Sequence, residues 1–136
     1  MSGPLPAPAP RVNPEAKPFW DATAEGRLLL QRCGDCGSVI WYPRGFCPEC
    51  SGVRIEWFEA SGRGVVYSFT INRRGLGPYA EAGAYVIAYV ELEEGPRVMT
   101  NIVDADFDRL AVGDAVEAVY NDTGEGTALV RFRPAA

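Results

Sequence analysis

Residues 33–50 read CGDCGSVIWYPRGFCPEC, two Cys-x-x-Cys pairs with ten residues between them, in a 136-residue chain that has no histidine. All four cysteines of the chain, Cys33, Cys36, Cys47 and Cys50, fall inside this stretch. A Cys-x-x-Cys turn followed by glycine, as in Cys33-Gly34-Asp35-Cys36-Gly37, aims two thiolates and the nearby backbone amides at one point, which suits a tetrahedral ion. The second pair, Cys47-Pro48-Glu49-Cys50-Ser51-Gly52, repeats the geometry, with Pro48 shaping the turn and Gly52 expected to take the positive φ. The gap between the pairs is shorter than usual for a four-cysteine zinc site. A disulfide framework is the first alternative, and belongs to small secreted scaffolds. A redox pair would need one Cys-x-x-Cys opening a helix beside a parallel sheet, whereas the flanking residues read as strands. Iron in the same four-sulfur cage is the third. Structural zinc is the preferred reading, and a closed four-cysteine site leaves no position at which to activate water.

Working outward, Arg27–Phe58 is only about thirty residues, below the size at which an apolar core alone holds a fold. Bound metal supplies folding energy to such a unit. Strands are expected at 27–32 (RLLLQR), 39–42 and 53–58, which makes 27–58 a zinc ribbon. Upstream, residues 1–13 open with MSGPLPAPAP, whose four prolines predict a disordered or polyproline-like tail, or the stub of an interdomain linker. Residues 14–26 form a helical segment: Asn13 is a cap candidate, Pro14 suits a first helical position, and the turns break before Pro18. Phe19 and Trp20 are its large apolar residues, expected to pack on the ribbon.

Downstream, residues 59–136 change to strand after strand. In 64–73 (GVVYSFTINR) the alternation puts Val65, Tyr67, Phe69 and Ile71 on one face and Ser68, Thr70 and Asn72 on the other. Residues 84–94 begin apolar on both faces, as a central strand does, and Glu94-Gly95-Pro96 turns the chain into 97–103. Asp106–Leu110 reads as a single helical turn, 114–120 as a fourth strand and 128–134 as a fifth. Five strands with a small helical turn between the third and fourth match an oligonucleotide/oligosaccharide-binding (OB) barrel. Its ligand loops would be Arg74–Gly83 and Asn121–Thr127. The fold class is therefore mainly β: a short helical segment, a rubredoxin-like zinc ribbon and a five-stranded OB barrel.

Charge restricts the partners. Residues 1–80 hold nine basic against seven acidic side chains and residues 81–136 four against eleven, within an overall −5. Nucleic-acid binders gain affinity from basic residues that displace phosphate counterions, so a second half at −7 argues against that partner. The basic residues other than Lys17 are all arginine, whose planar fork still permits a local anion site. The longest apolar run, AYVIAYV at 84–90, is far short of the roughly 20 residues of a membrane span. The N-terminus lacks the basic start and apolar middle of a secretory signal, which predicts a cytoplasmic protein. With no histidine base and every thiol assigned to metal, the chain reads as no catalyst by itself.

The order of motifs resembles a known family. FWDATAEGRLLLQRCGDCG, WYPRGFCPEC, GRGVVYSFT and YVIAYVELEEGPRVMTNIVD look like the zinc-ribbon/OB-fold proteins long catalogued as a domain of unknown function and linked to acyl-CoA metabolism. The resemblance runs from Pro18 to Pro134. Where the family's strand often begins Pro-Tyr, this chain has Ala84-Tyr85. The resemblance implies an accessory subunit in a hetero-oligomer with a thiolase-fold acyl-CoA enzyme of lipid-transfer-protein/thiolase type, such as a steroid side-chain retro-aldolase, or with a hot-dog-fold enoyl-CoA hydratase. It implies structural Zn2+ on the four cysteines and a CoA thioester as ligand, with Arg44, Arg73 or Arg74 pairing with phosphates and Trp41, Phe46 or Tyr79 offering stacking surface. The same side chains read without the resemblance are solvated loop ends and core aromatics, and the WYPRGF loop is equally a protein interface. Two rival readings remain: a nucleic-acid-binding ribbon with an OB barrel, and a rubredoxin-like iron electron carrier.

Overall fold

A computed structural model describes residues 5–135. The expected tail falls outside the described residues at 1–4; Leu5–Asn13 are described and contain neither helix nor strand. A 3-10 turn, Pro14–Ala16, is entered through Asn13 in extended conformation, with proline at its start. Proline's fixed φ suits that position and its missing N–H costs nothing there. Ala16, at φ −99° and ψ 0°, makes the interruption, so Pro18 opens the helix α1, Lys17–Thr23. The buried face of α1 is Phe19, Ala22 and Thr23.

The ribbon is a three-stranded antiparallel sheet in the order β2-β1-β3, with β1 Leu29–Cys33, β2 Val39–Ile40 and β3 Ile55–Glu59. Gln31 at its centre faces Ile40 on one side and Trp57 on the other. Three residues join ribbon to barrel, and they are tied on both sides: the Ala60 N–H donates to the Leu28 carbonyl (2.8 Å) and the Ser61 N–H to Glu94 Oε2 (2.9 Å).

The barrel contains β4 Arg63–Asn72, β5 Tyr85–Leu92, β6 Arg97–Ile102, β7 Ala115–Asp122 and β8 Ala128–Pro134. It closes in the order β4-β5-β6-β8-β7, with Arg63 opposite Glu117 where β7 meets β4. Each pairing is antiparallel except β6 with β8, which meet in parallel at Ile102 and Phe132. This is the five-stranded OB arrangement. Between β6 and β7 the Asp106 carbonyl accepts from the N–H groups of Arg109 and Leu110, both at 3.0 Å, which is the single helical turn the sequence predicts.

One expectation fails inside β4. Val65 lies opposite Glu91 and Val66 opposite Val90, but Ser68 is next to pair, with Tyr89. Tyr67 is the extra residue of a β-bulge, and a bulge exchanges the two faces of a strand. Before it the inward residue is Val66; after it the inward residues are Phe69 and Ile71, packed against the core. Val65 and Tyr67 therefore point outward, 39% and 47% exposed, and not inward beside Phe69 and Ile71 as strict alternation predicts.

Ribbon and barrel share one apolar core: Phe19, Leu28 and Leu30 belong to the same cluster as Val66, Val86, Val90 and Phe132. A second, much smaller cluster of Cys33, Ile40 and Cys47, with Ile55 against it, lies under the cysteine turns. No helix among the described residues is long and apolar enough to cross a membrane.

Candidate functional site

The two cysteine turns meet at one end of the ribbon, where Cys33 pairs with Ile55. Cys33 ends β1, Cys36 follows in the first turn, and Cys47 and Cys50 come from the turn before β3. The four sulfurs lie within 4.8 Å of one another, with Cys33 Sγ to Cys50 Sγ at 3.5 Å and Cys36 Sγ to Cys47 Sγ at 3.6 Å. Tetrahedral zinc with Zn–S bonds of about 2.3 Å needs sulfurs about 3.8 Å apart, so this donor set fits the ion. Backbone N–H groups of Asp35, Glu49 and Gly52 point at the sulfurs of Cys33, Cys47 and Cys50, each at 3.4 Å. Such donors stabilise thiolates and hold ligand orientation.

The thiols compete for charge. Cys36 is pulled down to about 6, chiefly by Ser38 through its side chain and backbone. Cys50 is pushed up to about 12: the Gly52 amide lowers it, but hydrogen bonds with Cys33 and Cys36, together with burial, outweigh that donor. Four thiolates at this distance repel one another, and a divalent cation at their centre relieves the repulsion.

The two turns solve one backbone problem differently. The residue after the second cysteine has positive φ in both, Gly37 at 78° and Ser51 at 64°. The position expected of Gly52 thus belongs to Ser51. Gly52 is small for another reason: a Cβ there would stand 2.5 Å from Asp35 Oδ2 and 3.2 Å from Cys50 Sγ.

The loop between the cysteine pairs is anchored by residues whose roles the sequence pattern does not announce. Gln31, 3% exposed, accepts from the Arg44 N–H (2.9 Å) and donates to the Arg44 carbonyl (3.1 Å), gripping one loop residue twice. The Gly45 N–H donates to Glu15 Oε2 at 3.1 Å, tying the loop to the N-terminal turn. Phe19 then sits at the centre of an aromatic group, with ring centroids 4.9 Å from Trp20, 5.3 Å from Trp41 and 6.1 Å from Tyr42. The Trp20 indole donates to the Tyr42 hydroxyl at 2.8 Å. Thr23 completes the join to the barrel: its hydroxyl donates to the Trp20 carbonyl (2.6 Å) and accepts from the Ala128 N–H (3.0 Å).

Between these aromatics and strands β6 and β8 runs a groove of about 290 Å³, with walls that include Trp20, Trp41, Tyr42 and Met99 and polar groups from Thr100, Asn101 and Arg131. Of the six predicted ligand-surface residues, Trp41 lines it. Arg44 folds back on its own loop, donating from Nε to the Tyr42 carbonyl at 3.0 Å. Phe46 is 51% exposed on the ribbon loop, and Arg73 and Arg74 are exposed just past β4. Tyr79 stacks on Tyr85 with centroids 5.3 Å apart and accepts a hydrogen bond from Arg131. A shallower depression of about 450 Å³ lies beside the loop at 121–127, bounded by Gly26, Tyr120 and Gly124.

A second feature, which shares Met99 with the groove, follows from the bulge. Tyr67, Tyr89 and Met99 stand side by side on the outer face of β4, β5 and β6, at 47%, 46% and 65% exposure, with Tyr89 directly opposite Met99. The Arg97 guanidinium covers the Tyr67 ring at 3.9 Å. Three neighbouring strands thus present one exposed apolar stripe on the outer face of the barrel.

With ribbon and barrel in view, likeness to known proteins can be set against them. Residues 20–56 match the ChsH2 rubredoxin-like zinc ribbon domain and residues 57–121 the ChsH2 C-terminal OB-fold domain. A DUF35 domain-containing scaffold protein of Methanothermobacter thermautotrophicus is 38% identical over 72% of this chain and 74% of its own. The chain belongs to the DUF35 family of zinc-ribbon/OB-fold proteins. The fold agrees: a chain of the Ltp2-ChsH2(DUF35) aldolase superposes with a TM-score of 0.83 at 33% identity, covering 94% of this chain and 100% of that one. A benzoylsuccinyl-CoA thiolase subunit BbsA of Thauera aromatica is 28% identical over 91% of this chain and 94% of its own. A probable enoyl-CoA hydratase alpha subunit of Thermomonospora curvata is 34% identical over 94% of this chain, which spans only 40% of that protein.

Proposed function

We propose that this DUF35 protein is a non-catalytic accessory subunit that binds and stabilises a thiolase-fold acyl-CoA enzyme in the cytoplasm, with a steroid side-chain retro-aldolase as the specific candidate. The observation that carries the reading is the 33% identity and 0.83 TM-score over the full length of a chain from the Ltp2-ChsH2(DUF35) aldolase. The subunit naming of the Thauera aromatica relative supports a thiolase-type partner. The Thermomonospora curvata relative, a probable enoyl-CoA hydratase alpha subunit, supports an enoyl-CoA hydratase as a second kind of partner.

In this reading Cys33, Cys36, Cys47 and Cys50 hold zinc, which rigidifies the ribbon and performs no chemistry, because four sulfurs close its coordination shell. The chain's own contribution is a shaped surface. Tyr67, Tyr89 and Met99 supply its apolar centre, and the flanking pair of Arg97 with Glu91 (3.0 Å) gives it a polar rim. Phe46 extends the contact from the ribbon loop. Arg73, Arg74 and Trp41 are the side chains offered to a CoA thioester shared with the partner, Arg44 and Tyr79 being engaged within the chain.

The test is purification of the tagged full chain from its native host, followed by mass spectrometry and metal analysis. A thiolase-fold or hydratase subunit recovered in near-equal amount with about one zinc per chain is the expected result. Recovery of nucleic acid with no acyl-CoA enzyme would overturn the reading. Tyr89→Glu or Met99→Glu, both exposed, should weaken partner capture by about tenfold or more, as loss of a central contact does, while leaving zinc content and melting temperature unchanged.

A further inference from the structure

Arg131 is 2% exposed, and its guanidinium makes four hydrogen bonds, all to neutral groups. Nε donates to Asn101 Oδ1 (3.2 Å), Nη1 to Asn121 Oδ1 (2.8 Å), and Nη2 to the Pro6 carbonyl (2.7 Å) and the Tyr79 hydroxyl (3.0 Å). No carboxylate among the described residues forms an ion pair with it. A buried cation surrounded by neutral dipoles is costly, and its most effective partner is an anion. Burial lowers its pKa from the ordinary value, with Tyr79 opposing the shift. Neutral hydrogen bonds occupy four of its five N–H donors and leave the charge uncompensated.

Arg131 and Asn101 also line the groove whose other walls include Trp20, Trp41 and Met99. Arg131 is the single charged residue in that lining. A concave, mostly apolar site with a few convergent polar groups is the usual form of a small-molecule pocket, and about 290 Å³ lies near the lower end of the range for one. One cation matches one negative charge. A carboxylate meets that condition, whereas a phosphate monoester would bring nearly two charges into apolar walls. Asn101 and Asn121 are held on β6 and β7, and Tyr79 is stacked on Tyr85, but Pro6 lies in a segment with neither helix nor strand. Its carbonyl is the exchangeable acceptor.

We propose that the groove binds a small carboxylic acid with an apolar tail, the tail against Trp20, Trp41 and Met99 and the carboxylate on the Arg131 guanidinium in place of the Pro6 carbonyl. Residues 5–10 are then a cover that competes with the ligand for Nη2. The inference rests on the groove and Arg131 alone, and stands whichever enzyme the chain serves.

Two of the three tryptophans line the groove, so intrinsic fluorescence reads the site directly. The zinc-loaded full chain is titrated with hexanoate and, as its uncharged match, hexanol. Hexanoate should saturate at least about tenfold more tightly, the contribution expected of a charge-assisted hydrogen bond. Deleting residues 1–9 should tighten hexanoate several-fold and leave hexanol unchanged. Arg131→Gln should remove the preference for the acid and Arg131→Lys retain part of it, each variant checked by its melting curve. Equal affinity for acid and alcohol, no saturable binding of either, or displacement of hexanoate by equimolar inorganic phosphate would each overturn the proposal. The acid-to-alcohol ratio of the unmodified chain decides the matter even where the Arg131 variants do not fold.

Discussion

The tip of the ribbon and the barrel are held together in opposite ways. Under the cysteine turns the apolar cluster amounts to Cys33, Ile40 and Cys47 with Ile55 beside them, and two of those residues are metal-site thiols. In the barrel, Val66, Val86, Val90, Val116 and Phe132 are all at most 1% exposed, inside a cluster continuous with α1 and β1. The tip therefore depends on an ion for its fold, and the barrel on apolar area removed from water. The difference teaches where each region is vulnerable: one to chelation, the other to cavities.

The largest expected effect breaks the tip. Structural zinc contributes on the order of 10 kcal/mol of folding free energy in small metal sites, far more than those few apolar contacts can replace. Cys33→Ser, or a chelator added to the intact chain, should abolish hydrogen-exchange protection from Cys33 to Ile55 and partner binding with it, while the amides of β5 and β6 stay protected. Loss of protection through both regions at once would mean that the barrel, too, requires the ion. A soluble variant without metal that still binds the partner would contradict the structural role.

The next effect tests the seam between the regions. Phe19 is 2% exposed and touches Trp20, Trp41 and Tyr42, so Phe19→Ala empties a site shared by helix, ribbon and barrel. Truncations of this kind cost about 3–5 kcal/mol. Thermal unfolding of the zinc-loaded variant should show it as a large fall in melting temperature with zinc retained. Thr23→Val keeps the volume and removes only the hydroxyl, leaving the Ala128 N–H and the Trp20 carbonyl without that partner. About 1–3 kcal/mol is expected for a buried donor so orphaned, read by denaturant titration.

The two regions also differ in how far their residues disclose themselves. The metal site is a local pattern: identical spacings in one short stretch place four sulfurs together with no knowledge of the barrel. The strands and the turn at Asp106 are local patterns as well, and the OB order follows from their number and sequence. The tilt of faces in β4 is not local. Nothing in GVVYSFTIN distinguishes Tyr67 from an inward residue, because the bulge arises from pairing with β5, where Tyr89 meets Ser68. The same holds for Gln31 and Arg131, polar side chains buried within strands. Their burial depends on the loop at Arg44 and on the segment at Pro6, which is 125 residues away in sequence from the arginine it covers. Arg44 and Tyr79 show the converse, being offered to a ligand by the family resemblance and occupied in the structure by contacts inside the chain.

The smallest effect sharpens the comparison within the ribbon itself, between its two cysteine turns. Gly37 and Ser51 occupy corresponding positions at φ 78° and 64°, but only the glycine takes that conformation without a Cβ penalty. A side chain there costs about 1 kcal/mol, partly offset by the freedom that glycine adds to the unfolded chain. Ser51→Gly should therefore stabilise the zinc-loaded protein by about 0.5 kcal/mol, a rise of roughly 1–2 °C in melting temperature at this size. Gly37→Ser, which imposes the same penalty on the other turn, should lower it by a similar amount. Because the strain lies in a turn that holds Cys47 and Cys50, the more telling readout is competition with a chelator. Ser51→Gly should retain zinc at higher chelator concentration and Gly37→Ser lose it at lower. If both variants shift melting temperature but neither shifts zinc retention, backbone strain in the turns is separate from metal affinity, and the tip is held by its sulfurs alone.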